Sequence, residues 1–245
     1  PNKYSKMYEL KDVNYDTAET EERNAICEKL GALYNYFPET YKIAIYVDNR
    51  VISMREQENR VYMKETGDDL DIHRREYNGI ICHQFSMGNN NIQISKYMTI
   101  TIDADAPLEA QLRFRKIDNE VDKILAQFGS RAKVIDTTER LSYFHDKFRV
   151  GHEGEFNIDY PFLMEQEISE LNYIAPMSFD FKTKSEFQID GLYYRILYLD
   201  NLPASLSDVT LQQLYATDFP TVVAINVSPV AQRIAIKTVR KQLAG

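Results

Sequence analysis

A glycine followed by three asparagines, at residues 88–91, raises the question of a phosphate-binding loop. Such a loop needs backbone N–H groups clustered at the start of a helix, with glycines that let the phosphate approach. Here the following stretch is rich in β-prone residues and predicts a strand, not a helix. No glycine precedes a lysine-serine or lysine-threonine pair at P-loop spacing. We therefore interpret residues 88–91 as a turn that leads into a sheet.

Two histidines with acidic neighbours are the candidates for a metal site. His145 and His152 stand seven residues apart, beside Asp146 and Glu153. Zinc sites usually show closer pairs, such as H-x3-H or C-x2-C. The zincin motif also requires a second histidine that the segment HEGE lacks. Histidines on the surface or at a helix cap are the alternative, and the spacing favours it.

Nucleophilic catalysis and calcium binding have weaker candidates. The chain contains no G-x-S-x-G motif for a nucleophilic serine. Cys82 and His83 are sequence neighbours, which does not make a catalytic pair, so we expect Cys82 to be a small core residue. The acidic cluster of Asp68, Asp69 and Asp71 lacks the ligand intervals of an EF-hand and is interpreted as a solvated charge cluster.

Two helix faces are candidates for binding a partner. The first is a basic stripe on the last predicted helix, which consists of Arg233, Lys237, Arg240 and Lys241. It would suit an acidic protein surface, anionic lipid or nucleic acid, and a solvated helix face is the favoured alternative. The second is the pair Leu108 and Leu112, which lies opposite the apolar stripe of its own helix. That position indicates contact with a second layer or with another protein.

Composition limits the classes of protein to which the chain can belong. Its 245 residues suit one large or two modest domains, and an apolar fraction of 44% can form a core. A net charge of −8 argues against broad binding of nucleic acid, which needs a basic surface. Cys27 and Cys82 are too few for a disulfide framework and are expected to be reduced thiols. Because the first residue is Pro1, we expect the sequence to be part of a longer protein.

Periodicity places the helices and strands that would position these residues. Helices are predicted at 17–35, 69–87, 107–128, 137–148, 207–217 and from 229 onwards, and strands at 41–52, 96–105, 132–136 and 221–227. A hairpin is predicted within 185–203, with its turn at Asp190 and Gly191. The clearest helix, 107–128, carries an apolar stripe of Ala110, Phe114, Ile117, Val121, Ile124 and Phe128.

The two halves of the chain echo each other. YKIAIYVDN is similar to YYRILYLDN, and MTITIDADAPLEAQ is similar to VVAINVSPVAQ. We therefore predict an α+β fold of two similar strand–helix–strand–helix units, with mainly antiparallel sheets covered by helices. The predicted organisation is a first unit at 1–148, a connecting region at 149–177 and a second unit at 178–245.

Several stretches in order resemble one protein family. They are REYN (75–78), GNNNIQISKYMTITIDAD (88–105), ERLSYFHDKFRVGHEGEF (139–156), IAPMSFDF (174–181), YRILYLDNLPASLSD (194–208) and KTVRKQL (237–243). This collinear series resembles the N-terminal region of the TraE-like ATPases, which are type IV secretion motor proteins of conjugative elements in Gram-positive bacteria.

The resemblance implies a protein of two parts. The N-terminal region would lie at the cytoplasmic face of the membrane, peripheral to it. It would dock on channel proteins and, as a homo-oligomer, on neighbouring subunits. A C-terminal motor with a P-loop would bind ATP and magnesium. None of the motor's catalytic residues maps onto this sequence, so we expect the second unit to be cut at the junction with that motor. On this basis the chain is not an enzyme by itself and binds no cofactor or metal.

A second hypothesis treats the chain as a domain with its own ligand. It would be a stand-alone nucleotide-binding or nucleic-acid-binding domain whose site has no familiar motif. Binding of nucleic acid through the basic stripe would be sensitive to salt and would be lost on charge reversal of Arg233 and Lys237.

Overall fold

The computed structural model describes residues 2–13, 15, 17–52, 61–87, 92–200, 208–215, 217 and 219–243. The predicted turn at 88–91 lies outside this part of the chain. The strands are β1 (Asn2–Leu10), β2 (Lys42–Val51), β3 (Ile92–Ala104), β4 (Ala132–Ile135), β5 (Phe179–Asp180), β6 (Phe187–Ile189), β7 (Leu192–Tyr194) and β8 (Thr221–Val227). The helices are α1 (Thr20–Tyr36), α2 (Asp71–Met87), α3 (Pro107–Ala126), α4 (Thr137–Phe148), α5 (Tyr160–Gln166), α6 (Leu171–Ile174), α7 (Asp208–Tyr215) and α8 (Gln232–Leu243).

The chain divides into two compact units, both of which mix helix and strand. The first unit consists of Pro1–Asn49, Ile94–Ile135 and Thr221–Gly245, and the second of Arg50–Gln93 and Asp136–Pro220. A five-stranded sheet has the order β4-β1-β3-β2-β8, and a three-stranded sheet the order β5-β6-β7. The pairs β1–β3, β1–β4 and β2–β8 are antiparallel, as are both pairs of the small sheet. The predicted α+β class with antiparallel sheets is confirmed.

The core of the first unit lies between one face of the large sheet and the helices α1 and α3. On β3, Met98, Ile100 and Ile102 are buried, as the alternation of its sequence predicts. The apolar stripe of α3 packs against them through Ala110, Phe114, Ile117, Val121 and Leu125. Two members of the predicted stripe, Ile124 and Phe128, are only partly buried. The helix ends at Ala126, so Phe128 lies beyond it.

A polar cluster ties β1 to α3 at the margin of this core. Lys6 Nζ lies 2.6 Å from Asp118 Oδ2, and the Tyr8 hydroxyl donates to Asp118 Oδ1 at 2.8 Å. Tyr8 is 1% exposed. Burial, followed by the hydrogen bond to the Asp118 carboxylate, raises the pKa of Tyr8 above its ordinary value. The cluster therefore holds a neutral tyrosine and an ion pair together.

The acidic cluster before α2 is an ion-pair network rather than a solvated patch. Arg74 pairs with both Asp68 and Asp71, and Asp71 also accepts hydrogen bonds from the backbone N–H groups of Thr66 (3.1 Å) and Gly67 (2.8 Å). The prediction of a solvated cluster was wrong for Asp71, which is buried. The hydrogen bond from Arg74 lowers the pKa of Asp68 to about 2. These carboxylates hold the first turn of a helix, where negative charge is favourable.

The helices of the second unit are held by caps at their ends. Asp136 and Glu139 form a reciprocal capping box, which starts α4 at Thr137 as predicted. At the other end of α4, the Arg149 guanidinium donates to the carbonyl of Ala175 at 2.9 Å. Ala175 is the residue that caps α6. A single arginine thus links the end of one helix to the end of another.

The predicted linear division of the chain does not match the two units. The boundaries at 148 and 178 were placed where the helical and strand patterns weaken. In the structure, however, β8 returns to pair with β2, so residues 221–245 belong with the start of the chain. The predicted duplication also differs from the structure, because YKIAIYVDN lies largely in β2 whereas the strand in YYRILYLDN stops at Tyr194. Within the described ranges, we find no helix whose length and hydropathy would let it span a bilayer.

Candidate docking surface

The small sheet of the second unit is built around a tight hairpin. Strands β6 and β7 pair antiparallel, with Ile189 opposite Leu192. The two residues between them, Asp190 and Gly191, both have positive φ, at 48° and 83°. A two-residue hairpin of type I′ requires that conformation at both positions, which is why Asp-Gly favours it. The turn predicted from the sequence is confirmed.

The Asp190 side chain fixes the entry to this sheet. Its carboxylate accepts hydrogen bonds from the backbone N–H groups of Ser178 at 2.7 Å and Met177 at 3.2 Å. The carbonyl of Ser178 accepts from the Asp190 N–H at 3.1 Å. Burial by itself would raise the pKa of Asp190, but these hydrogen bonds and the charge of Arg149 outweigh it, so the pKa is lowered. The ionised form therefore holds β5 against the hairpin.

We expect acid to loosen this hairpin, with Asp190→Asn as the test. The pKa of Asp190 is lower in the folded than in the unfolded protein, so its ionised carboxylate contributes fully to folding stability above about pH 4. That contribution is lost as pH falls through the folded pKa. Thermal unfolding between about pH 3 and pH 6 should show a smaller loss of Tm in Asp190→Asn than in the wild type. Asparagine tolerates the left-handed turn, so the turn geometry is retained. An identical pH profile for the two proteins would contradict this role.

One face of the small sheet is lined by apolar and aromatic side chains. Its members are Phe179, Phe181, Phe187, Ile189, Leu192 and Tyr194, which we call the aromatic face. Four of the rings form a stack. Centroid separations are 6.0 Å from Phe179 to Phe181, 5.5 Å from Phe181 to Phe187 and 5.6 Å from Phe187 to Tyr194, with interplanar angles of 10° to 22°. The stack crosses all three strands, because Phe187 lies directly opposite Tyr194.

Much of the aromatic face is open to solvent. Ile189 is buried, but Phe179 is 53% and Phe181 69% exposed. The chain then continues into residues 196–199, four consecutive large apolar or aromatic side chains, of which Leu197 is 84% exposed. Met177, just before β5, is exposed as well. Contiguous apolar surface of this kind marks interaction sites in soluble proteins, whereas scattered apolar residues do not.

A separate cavity in the second unit contains one of the candidate metal ligands. It has a volume of about 450 Å³, and His145, Arg149, Phe156 and Tyr173 are among its lining residues. His145 is buried, with Nδ1 3.2 Å from Asp146 Oδ1, while His152 instead pairs with Glu155 at 2.9 Å. The two histidines therefore take different carboxylate partners. In the part of the chain that the structure describes, no three His, Cys, Asp or Glu side chains are grouped as a metal site would require.

The partner-binding residues predicted from the sequence lie in the first unit. Leu108 and Leu112 are exposed on α3, opposite its buried stripe. Arg233, Lys237 and Arg240 are exposed on α8, and the side chain of Lys241 lies outside the described residues. The same helix also exposes Ile234, Ile236 and Val239. Both faces remain candidates for binding a partner.

The aromatic face is the feature that sequence reasoning missed. The signal was present in the alternation FDF at 179–181, with a polar residue between two phenylalanines, and in FQI at 187–189. Alternation indicates which side chains share one face of a strand. The predicted turn at Asp190 and Gly191 places Phe187 opposite Tyr194, but alternation does not show that β5 pairs with β6, so the sequence could not reveal that Phe181 joins the same row.

Compared with known proteins, the chain matches no protein-family model and no curated protein.

Proposed function

We propose that this chain is a non-catalytic docking module, the N-terminal assembly region of a conjugative type IV secretion ATPase. Its partners would be membrane channel proteins and neighbouring subunits at the cytoplasmic face of the membrane. The observation that carries the proposal is the aromatic face, with the exposed residues 196–199 that follow it. These residues lie mostly within IAPMSFDF and YRILYLDNLPASLSD, two of the segments on which the resemblance depends.

The chemistry of the aromatic face supports a protein partner. Its rings form a row with centroids 5.5 to 6.0 Å apart, and Phe179 and Phe181 leave more than half of their surface for contact. Aromatic edges and aliphatic side chains pack well in the centre of protein interfaces, where aromatic residues and methionine are enriched. Exposed Met177 and Leu197 extend the surface with adaptable side chains.

The nucleic-acid hypothesis has weaker support from the same surface. Bases bind to aromatic side chains by stacking on their flat sides, with basic residues nearby for the phosphates. Here Lys182, the basic residue that follows Phe181, is paired with Asp180 at 2.6 Å. The basic stripe on α8 remains the better candidate for nucleic acid under this hypothesis.

The proposal predicts that changes on the aromatic face and in residues 196–199 weaken binding to channel proteins. Phe181→Asp combined with Leu197→Asp should weaken binding at least tenfold, because burying each apolar side chain contributes about 1.5–3 kcal/mol. Binding would be measured by surface plasmon resonance against each membrane channel protein encoded in the same conjugative element. The same pair of changes in the full-length parent protein should lower the frequency of DNA transfer.

Leu108→Asp combined with Leu112→Asp is the matched comparison between the two candidate docking faces. It places two charges on exposed leucines of the first unit, which carry the alternative docking face. We expect this variant to bind channel proteins as the wild type does. The proposal would be overturned if no channel protein bound the wild-type chain, or if a natural stop codon followed Gly245 in the gene. Saturable binding of ATP and magnesium by the 245-residue chain would support the alternative domain instead.

A further inference from the structure

Among the strands that the structure describes, β8 lies at an edge of its sheet. It is the last strand of the five-stranded sheet, next to β2, and no described strand pairs with its other side. Its two faces are also open, since Val222 and Ile225 point to opposite faces and are 45% and 43% exposed. An edge strand presents backbone N–H and C=O groups that can pair with another strand.

At the opposite edge of the same sheet, β4 is protected against pairing with another strand. Strand β4 has only four residues, and one of them is Lys133. Short length, charged side chains, proline and bulges are the devices that keep an edge from pairing. Strand β8 has seven residues, TVVAINV, with no charged residue and no proline. Its register with β2 runs without a bulge from Asn49 opposite Thr221 to Ile43 opposite Val227.

We propose that β8 pairs antiparallel with β8 of a second copy of this chain, around a two-fold axis at Ala224. In that register Val223 lies opposite Ile225 of the other copy, and Ala224 faces its own counterpart. Two β-branched residues face each other on each side of the axis, a favourable cross-strand combination. The small alanine at the axis leaves room for the close approach of the strands. The two five-stranded sheets become one continuous sheet.

Charge supports a second copy as the partner rather than an unrelated strand. In a two-fold pair, a charged residue at or beside the axis lies near its own like-charged counterpart, so a strand with no charge there pairs with itself without that repulsion. β8 meets this condition in a chain with 27% charged residues and a net charge of −8. No acidic residue occurs from Phe219 to Gly245, so the two copies meet along a segment free of carboxylates.

The inference rests on the proposed function only in naming a neighbouring subunit as the partner. The proposed dimerisation and the proposed function can be refuted independently, because β8 lies in the first unit and the aromatic face in the second. A single pair of strands makes an interface below the standard size, so we expect weak dimerisation with a Kd on the order of 0.1 mM.

Charge at the two-fold axis provides the test. Ala224→Glu and Ala224→Lys would each be studied by sedimentation equilibrium of the 245-residue chain, at concentrations up to about 1 mM. In each variant alone, the Kd of the dimer should rise at least tenfold, since like charges meet at the axis. An equimolar mixture of the two should form a heterodimer at least as tight as the wild-type dimer. Ala224 is exposed, so neither substitution buries a charge in the free chain.

Val134→Glu, at an exposed position on β4, is the matched control and should leave dimerisation unchanged. Circular dichroism would establish that all variants are folded. A wild type that is monomeric throughout overturns the proposal. So does a dimer that persists in Ala224→Glu, or one that is lost in both variants and not restored by mixing them.

Discussion

Replacing Ile100 with alanine is expected to destabilise the first unit by about 3 kcal/mol. Ile100 is fully buried in the middle of β3 and belongs to the cluster in which the large sheet meets α1 and α3. Truncation of a buried isoleucine costs the lost transfer free energy and leaves a cavity, for a total of about 2–5 kcal/mol. Urea unfolding followed by circular dichroism measures the loss. The chain has 17 tyrosines and no tryptophan, so tyrosine fluorescence is the second probe.

Ile94→Ala is the matched control for this experiment. Ile94 lies in the same strand, has the same side chain and is 39% exposed. Because its truncation leaves no enclosed cavity, the expected loss is about 1 kcal/mol or less. If both variants lost the same free energy of unfolding, Ile100 would not be enclosed by the core as the structure has it.

Asp118→Ala should cost about 2 kcal/mol, the second-largest effect expected. The change removes the partner of Lys6 and leaves the hydroxyl of Tyr8 without its acceptor. Tyr8 is buried, and an unsatisfied buried hydroxyl costs about 1–3 kcal/mol. The ion pair contributes less, since Lys6 and Asp118 are each about a quarter exposed and therefore screened by solvent.

Two further variants separate the hydrogen bond from the charge. Asp118→Asn keeps an oxygen for the Tyr8 hydroxyl and should lose only about 1 kcal/mol. In a double-mutant cycle of Tyr8→Phe with Asp118→Ala, the coupling should be about 1 kcal/mol, because both single changes break the same hydrogen bond. Additive losses would mean that Tyr8 and Asp118 do not interact in solution.

The elements that could be predicted from the sequence are those with strong local periodicity. Helix α3 was predicted to within two residues, because its apolar stripe, Pro107 and Gly129 all mark one element. Helix α4 was predicted at its observed bounds, 137–148. The exposure of Leu108 and Leu112 followed from the same helical period. These patterns depend on neighbouring residues only.

The pairing of strands that are distant along the chain could not be predicted from the sequence. Nothing local in TVVAINV shows that β8 returns to β2, although most of the second unit and Ile94–Ile135 of the first lie between them in the chain. The similarity of YYRILYLDN to YKIAIYVDN led to a predicted duplication, because β-prone composition is the same in a buried strand and in an exposed apolar segment. In the structure Ile43 is buried, whereas Leu197 is exposed.

The candidate docking surface was predictable only in part. The Asp190–Gly191 turn follows from the conformational freedom of those two residue types and was predicted. The Asp190 hydrogen bonds and the ring stack are contacts across strands, and they depend on register. The Arg74 network was missed for the same reason, since the sequence shows three nearby carboxylates and an arginine but not their geometry.

The late position of β8 in the chain has a consequence for biogenesis. While the protein is being translated, β2 emerges long before the strand that will cover its outer side. The nascent polypeptide therefore carries one unpaired edge of β2 until the intervening residues have been synthesised, a situation in which aggregation competes with productive folding. We expect a ribosome-associated chaperone to shield that edge until β8 leaves the exit tunnel.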